Sequence, residues 1–509
     1  MEGIRPSPDL DAPKPHHAEP IPTIGHPLPR GLGACTLIRD FLSPAECSAL
    51  IAQAEARGFA SAELDYPPSY RNNDRQVLDD PAMADRLLRR LACQLDGALE
   101  TLLPAELRTE WRLRGINDRI RLCRYREGQQ FRIHQDGVHH RGPDCRSMLT
   151  FMVYLTDGDE FDGGDTLFYA GGPSHGEREQ DVVARVRPTA GSLILFDHGI
   201  WHAGATVTRG TKYVLRSDLL FCRAVGADHA TPPCGHQGYI WTLAALDDGR
   251  LASGGRDGSI HIWQPGGTPA AVLVGHEQSV LGLVEVAPGA IASVSRDRTL
   301  RWWDTASGRC IRSVPAHDAA ALCVARLTGN LLATGGADHL IHVWSDSGER
   351  RQTLHGHGGW VWGVTGLQND VLASVSEDQT MRLWRQSDGQ CIATLHVAHP
   401  LRTIDAADCW QCIATGDSSG RVTLWSVGQG GTSAVASFAA HDAAVRRVRF
   451  LRDGSLATCG EDNRLRVWNP TSLVMTHESQ QANFVTDVIE LADGTRVSCG
   501  YDGEIDWSN

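Results

Sequence analysis

The chain has 509 residues, a net charge of -13, 41% hydrophobic and 21% charged residues, so one ordinary core cannot hold it and two or three domains are expected. The acidic balance disfavours a general binder of nucleic-acid backbones, and no apolar run reaches the roughly 18 residues of a membrane span. The 14 cysteines are scattered singly and read as reduced thiols. Cys409 and Cys412, the one CxxC pair, have no matching second pair and read as ordinary strand or loop cysteines.

Residues 1–32 are rich in proline and histidine without apolar periodicity, and a disordered tail is expected, with His16 and His17 solvated. No basic stretch leads into an apolar run, so a signal peptide is not expected and a cytoplasmic protein is. Thr36–Phe41 reads as a strand. Ser43-Pro44-Ala45-Glu46 is a capping box with proline at the first helical position. The helix it opens carries Cys47, Leu50, Ile51 and Ala54 on one face, and a second follows Asp80-Pro81 with Met83, Leu87, Leu88 and Leu91. Between them, Ser69–Arg75 is very polar and reads as a mobile lid or a solvated loop. From Ile120 the period changes to two: Ile120–Tyr125, Phe131–His134, Met148–Leu155, Thr166–Phe168, Ser192–Phe196 and Lys212–Phe221 are strand candidates. Helices followed by strands suggest a β-barrel or sandwich supported on one side.

Residues 224–234 read as a linker, and beyond them the chain repeats. Each repeat has a His, then a Ser or Thr, an Asp four residues on, and a Trp six residues after that. The sets are His236, Ser253, Asp257, Trp263; His276, Ser293, Asp297, Trp303; His317, Thr334, Asp338, Trp344; His357, Ser374, Asp378, Trp384; and His441, Thr458, Asp462, Trp468. A fifth unit departs, with His399, Thr415 and Trp425 but Ser419 at the Asp position. The seventh, Gln481–Asn509, keeps Ser498, Asp502 and Trp507 and lacks the His. Residues 235–509 resemble the WD40 repeat. The resemblance implies a seven-bladed β-propeller, with the repeated polar set as a structural hydrogen-bond network. A strand from about 222–234 is expected to complete the last blade, although its prolines suit a strand poorly. Propellers of this kind are interaction platforms, and Tyr239 and Trp360 are the candidate exposed aromatics for a protein substrate or partner, while Trp241 and Trp362 read at least as well as core.

The chemistry lies in the first domain. Residues i and i+2 of a strand share a face, so His134 and Asp136 can reach one point. Two His and a carboxylate on one side of an ion leave open positions, as non-haem iron oxygenases require. Downstream come Asp162-Gly163-Gly164-Asp165-Thr166-Leu167-Phe168, then His198-Gly199-Ile200-Trp201-His202-Ala203-Gly204, and Lys212. Residues 33–223 resemble the prolyl 4-hydroxylase branch of the Fe(II)- and 2-oxoglutarate-dependent dioxygenases. The implied fold is a double-stranded β-helix, or jelly roll, with supporting helices, giving a mainly β protein of two domains. The implied metal ligands are His134, Asp136 and His202, and these with Lys212 form the catalytic set. Lys212 would pair with the distal carboxylate of 2-oxoglutarate, with Tyr125, Tyr154 and Thr166 in the same region. The strand around Lys212 agrees, since a lysine among apolar neighbours is costly to bury unless an anion meets it.

His202 is preferred to His198 as the distal ligand because Lys212 follows it by ten residues and Gly204 stands where the motif asks. His139 and His140 read as surface residues. Arg216 reads equally as a substrate contact or a buried ion pair. The implied cofactors are Fe(2+) and 2-oxoglutarate, with L-ascorbate as an accessory reductant. The implied reaction is hydroxylation rather than halogenation, since a carboxylate stands at Asp136. A peptidyl substrate, with proline as the candidate residue, is the leading expectation. A hydroxylase of a free amino acid or small metabolite, and a scaffold that senses O2 or 2-oxoglutarate, are the alternatives. Neither nucleic acid nor membrane is an expected partner.

Overall fold

The computed structural model describes residues 24–507 apart from 26–27, 29–32, 65, 68–69, 96–102, 104–106, 109, 140, 142–144, 172–178, 224–234, 408–411, 429–430 and 482. Met1–Ala230 and Thr231–Asn509 form two compact units.

In the first unit the strands are β1 (Ile24–Gly25), β2 (Cys35–Ile38), β3 (Ala60–Ser61), β4 (Asp74–Asp79), β5 (Trp111–Ile116), β6 (Arg119–Tyr125), β7 (Phe131–His134) and β8 (Cys145–Tyr154). They continue as β9 (Phe161–Gly163), β10 (Thr166–Tyr169), β11 (Val182–Val186), β12 (Leu193–Asp197), β13 (His202–Gly204), β14 (Val207–Gly210) and β15 (Lys212–Arg223). The major sheet runs β1-β2-β12-β8-β15-β6-β4-β3, with β5 also on β15. A minor sheet runs β11-β10-β13-β7, and β14 pairs with β9. Helices α1 (Pro44–Arg57) and α2 (Pro81–Gln94) start where the sequence places them. Ser43 and Glu46 close the capping box, and the Asp80 side chain accepts from the Met83 N–H.

Strand periodicity explains the layering. On β12, Leu193 and Leu195 enter the core that also holds Leu50, Leu87 and Leu91 from the helices. Ile194 and Phe196, one residue out of phase, enter a second core with Phe131, Phe168 and Val207 from the smaller sheets. The helices cover one face of the major sheet and the minor sheet covers the other.

Among the described residues the second unit has seven consecutive antiparallel sheets, six of four strands and a last one of three. This is consistent with a seven-bladed propeller. The first and seventh sheets meet directly. The Leu243 N–H donates to Asp487 Oδ2 at 2.9 Å, and the Thr486 hydroxyl donates to the Ile240 carbonyl at 2.5 Å. The expected closing strand from 222–234 falls largely on residues outside the described set, and no fourth strand completes the seventh sheet among the described residues. No helix among the described residues is long and apolar enough to cross a membrane.

Several expectations are corrected. Ile24 and Gly25, inside the stretch read as a disordered tail, pair with Ile38 and Leu37; most of that stretch, with His16 and His17, lies outside the described residues. Cys145 and Cys222, read as free thiols, face each other across β8 and β15 and form a disulfide. Trp360 is 6% exposed, packed with Leu322 and Ala337, and is not an exposed anchor. Tyr239 is half-buried, stacked on Tyr501 with ring centroids 4.3 Å apart. His399 is exposed, so Thr415 accepts from Trp425 without the histidine found in the complete repeats. Of the stretch Ser69–Arg75, Ser69 lies outside the described residues and the rest is not a solvated loop: Arg71 bridges to Phe131, Arg71 and Asn73 are buried, and β4 begins at Asp74. Cys409 and His140 lie outside the described residues.

Candidate metal centre

His134 closes β7 and His202 opens β13, and the two are direct cross-strand partners. Their ring centroids lie 4.2 Å apart. Asp136, two residues beyond His134, stands between them, with Oδ1 at 3.5 Å from His134 Nε2 and Oδ2 at 3.6 Å from His202 Nε2. All three residues are buried, and one potential ligand atom from each falls within 4.8 Å of the others.

The protonation pattern suits a cation. Each histidine uses Nδ1 toward a backbone carbonyl, His134 to Arg132 at 2.6 Å and His202 to Ile200 at 2.9 Å. That places the proton on Nδ1 and leaves Nε2 with a lone pair facing the partner ligands. His134 Nε2 has no hydrogen-bond partner, an orphaned buried atom that a metal would satisfy. Burial lowers the His134 pKa and pushes that of His202 down to about 3, so both rings are neutral. Burial alone would raise the Asp136 carboxyl, but the Arg216 guanidinium beside it outweighs that and holds it well below the usual carboxylate range. Thr150 and Arg216 both donate to Asp136. The two readings of Arg216 thus resolve to an ion pair with Asp136.

Lys212 begins β15 opposite Tyr125 on β6. Its ammonium lies 5.5 Å from the Tyr125 ring centroid and 5.7 Å from that of Tyr154. It donates to the Gly164 carbonyl at 2.6 Å, and among the described residues no carboxylate pairs with it. The Gly163-Gly164 pair serves this contact: both have positive φ, and a Cβ on Gly163 would stand 2.2 Å from the Thr206 carbonyl oxygen. Burial pushes the Lys212 pKa down to about 8. The Tyr154 hydroxyl donates to Thr166 Oγ1 at 2.8 Å, which joins these two residues beside the lysine.

The structure therefore brings His134, Asp136, His202, Lys212, Tyr125, Tyr154 and Thr166 to one interior. The buried His198 side chain turns to Asp218, its Nε2 3.8 Å from Oδ1, while the His198 carbonyl accepts from the Asp136 N–H at 3.0 Å. His139 is half-buried, its backbone N–H donating to Ser147 Oγ. Sequence reasoning missed Thr150 and Arg71. Thr150 had a signal, a lone hydroxyl in the apolar run of β8, whereas Arg71 lay hidden in a uniformly polar stretch.

Among the described residues two further groups have ligand-like spacing, His236-Asp257-His261 and His317-Asp338-His342. They belong to the repeats. His236 and His317 already spend Nδ1 on the aspartate, at 3.1 and 2.9 Å, and Nε2 on Ser253 and Thr334, at 2.8 and 2.9 Å.

A buried two-histidine, one-carboxylate cluster inside a pair of facing β-sheets defines the class, a candidate mononuclear metal centre of the oxygenase type. Residues 120–217 match the 2OG-Fe(II) oxygenase superfamily. Residues 231–264, 267–304, 308–345, 348–385 and 432–469 match the WD domain, G-beta repeat. The chain thus carries a 2OG-Fe(II) oxygenase superfamily domain together with WD40 repeats. Among curated proteins it is similar to the DENN domain and WD repeat-containing protein SCD1 of Arabidopsis thaliana, 27% identical over 177 residues, which is 34% of this chain and 15% of that protein. It is 34% identical over 164 residues to nuclear distribution protein PAC1 of Yarrowia lipolytica, covering 30% of this chain and 36% of the relative. The ribosome biogenesis protein WDR12 homolog of Arabidopsis thaliana is 22% identical over 313 residues, 52% of this chain and 72% of the relative. The chain spans well under two thirds of the first two relatives.

Proposed function

We propose that the chain hydroxylates a peptidyl substrate, with proline as the candidate residue, using Fe(2+) held by His134, Asp136 and His202 and 2-oxoglutarate held by Lys212. The observation that carries this reading is the convergence of two neutral, Nε2-facing histidines and a buried carboxylate, with an uncompensated lysine in the same interior. When bound, iron and 2-oxoglutarate supply O2 activation coupled to decarboxylation of the cosubstrate, with succinate and CO2 as its products.

The chain's own residues bind and orient. Arg132 and Ile200 fix the two imidazoles through Nδ1, and Thr150 and Arg216 fix the Asp136 carboxylate. Lys212 would neutralise the far carboxylate of 2-oxoglutarate, with Tyr125, Tyr154 and Thr166 beside it. Phe131, Phe168 and Phe196 line the interior and exclude water. Ascorbate would serve as an accessory reductant. We read the seven sheets as one seven-bladed propeller that recruits the protein substrate, in a cytoplasmic setting.

The test is succinate formation from 2-oxoglutarate by the purified chain with Fe(II) and O2. Wild type is expected to form it, and His134→Ala to reduce it to background. Equal rates in both proteins would remove the assignment. A gain of one oxygen on a proline-containing peptide, and none on free L-proline, would support the peptidyl reading over a free amino acid.

A further inference from the structure

Arg71 is 3% exposed. A guanidinium cannot shed its proton, so its burial calls for an anion. None is present among the described residues. Nε donates to Asn73 Oδ1 at 2.6 Å and Nη2 to Cys123 Sγ at 3.4 Å, both neutral acceptors. Its flat faces are covered by Phe131, 4.3 Å from the ring centroid, and Tyr66, at 5.4 Å. Such contacts hold the group in place without cancelling its charge.

Its position ties it to the metal centre. The Phe131 ring that carries Arg71 stacks on His134 with centroids 3.6 Å apart, so the guanidinium stands one aromatic ring beyond a proposed metal ligand. Arg71 also interacts with Tyr125, which in turn faces Lys212.

Charge accounting points the same way. Around the triad stand three cations, Lys212, Arg216 and Arg71, against Asp136. Asp218 is taken by Arg121 at 3.2 Å, and Asp165 by Arg185 and Arg187 at 3.0 and 2.9 Å. Fe(2+) and 2-oxoglutarate carry opposite double charges and cancel, so bringing them in leaves the surplus.

Resting on the oxygenase reading, we infer that Arg71 receives a carboxylate of the substrate, and that substrates of this enzyme carry that anion within a few bonds of the hydroxylated carbon. The source is either the free α-carboxylate of an amino acid or an acidic side chain in a peptide. Asn73 is a positioning residue for Arg71.

The experiment uses the full chain with Fe(II) and 2-oxoglutarate. It compares matched probes: each of the L-amino acids against its amide, and blocked peptides containing Asp or Glu against the same peptides with Asn or Gln. Binding is read without O2 by calorimetry, and stimulated succinate release with O2. Acids are expected to bind about tenfold to a hundredfold more tightly than their neutral partners. Arg71→Gln is expected to erase that ratio, and Arg71→Lys, which keeps the charge, to retain part of it. Preference for free acids assigns the α-carboxylate, and preference for acidic peptides the side chain. Equal responses within every pair, or no response to any acid, overturn the inference. So does an Arg71→Gln variant that keeps the acid preference and loses only 2-oxoglutarate affinity or melting temperature, as a purely structural arginine would. Succinate release from 2-oxoglutarate alone, lost in His134→Ala, tests the oxygenase reading separately.

Discussion

Lys212 shows how one buried residue couples stability to pH. Its folded pKa of about 8 lies below the roughly 10.4 of an unfolded lysine. Between those values the unfolded chain binds more protons than the folded one, so this group makes stability rise with pH across the window. The charged and titratable groups around it are Tyr125, Tyr154, Cys123, Asp165 and Arg187, and burial outweighs them all. Lys212→Met is therefore expected to be more stable than wild type by about 1–3 kcal/mol at pH 7 without cosubstrate, and to lose the alkaline rise; urea melts at pH 7 and 9.5 would check both. The same variant should bind 2-oxoglutarate at least about thirtyfold more weakly in calorimetry. In wild type, 2-oxoglutarate affinity should fall by about tenfold per pH unit above about 8, where free Lys212 loses its proton. A flat affinity from pH 7 to 9.5 would mean that Lys212 does not meet the cosubstrate.

At the level of elements, the repeated polar set is a chain of donors. In the third sheet the Trp344 N–H donates to Thr334 Oγ1 at 2.9 Å, Thr334 meets His317 Nε2 at 2.9 Å, and His317 Nδ1 meets Asp338. The fifth sheet keeps only the Trp425 N–H to Thr415, also at 2.9 Å. Thr→Val preserves volume and removes the hydroxyl, so Thr334→Val strands two buried partners and Thr415→Val strands one. Thr334→Val should cost about 1 kcal/mol more in chemical denaturation, and equal costs would show that the histidine adds nothing. These sets were legible in the sequence because each uses fixed spacing within about forty residues. The strand that carries His134 was legible because β7 buries Phe131 and Ile133 and exposes Arg132 between them, whereas the three-residue β13 gave no strand pattern and His202 was placed by motif spacing. What escaped depends on pairing over long distances. β4 has four polar residues of six, with only Val77 and Leu78 apolar, and pairs along its length with β6. Cys145 and Cys222 meet only because β8 and β15 align in register. Gln481, whose side-chain amide donates to Ser498, stands in for the missing histidine of the seventh unit at the same seventeen-residue separation, yet shares nothing with it in sequence pattern.

For the whole molecule, the question is what closes the second unit when its last sheet has three strands. Asp487 is fully buried and links three sheets. It accepts from the Leu243 N–H of the first at 2.9 Å and from Arg449 Nη2 of the sixth at 3.2 Å, and Arg447 of the sixth forms an ion pair with it, Nε at 2.9 Å. Apolar packing reinforces the seam, with Ile240, Leu243 and Leu251 against Ile489, Leu491 and Val497. Asp487→Ala would leave two arginines facing a vacated acceptor and free the Leu243 N–H, a loss of about 3 kcal/mol. Since the chain forms two compact units, the damage should stay within one of them. Hydrogen exchange on the intact variant is expected to speed up in peptides from 231–509 and to match wild type in peptides from 33–223. Adding Mn(II) and 2-oxoglutarate should slow exchange in the first set of residues, 33–223, without restoring the second, because a ligand stabilises only what it binds. Uniform acceleration along the whole chain would show instead that the two units unfold as one.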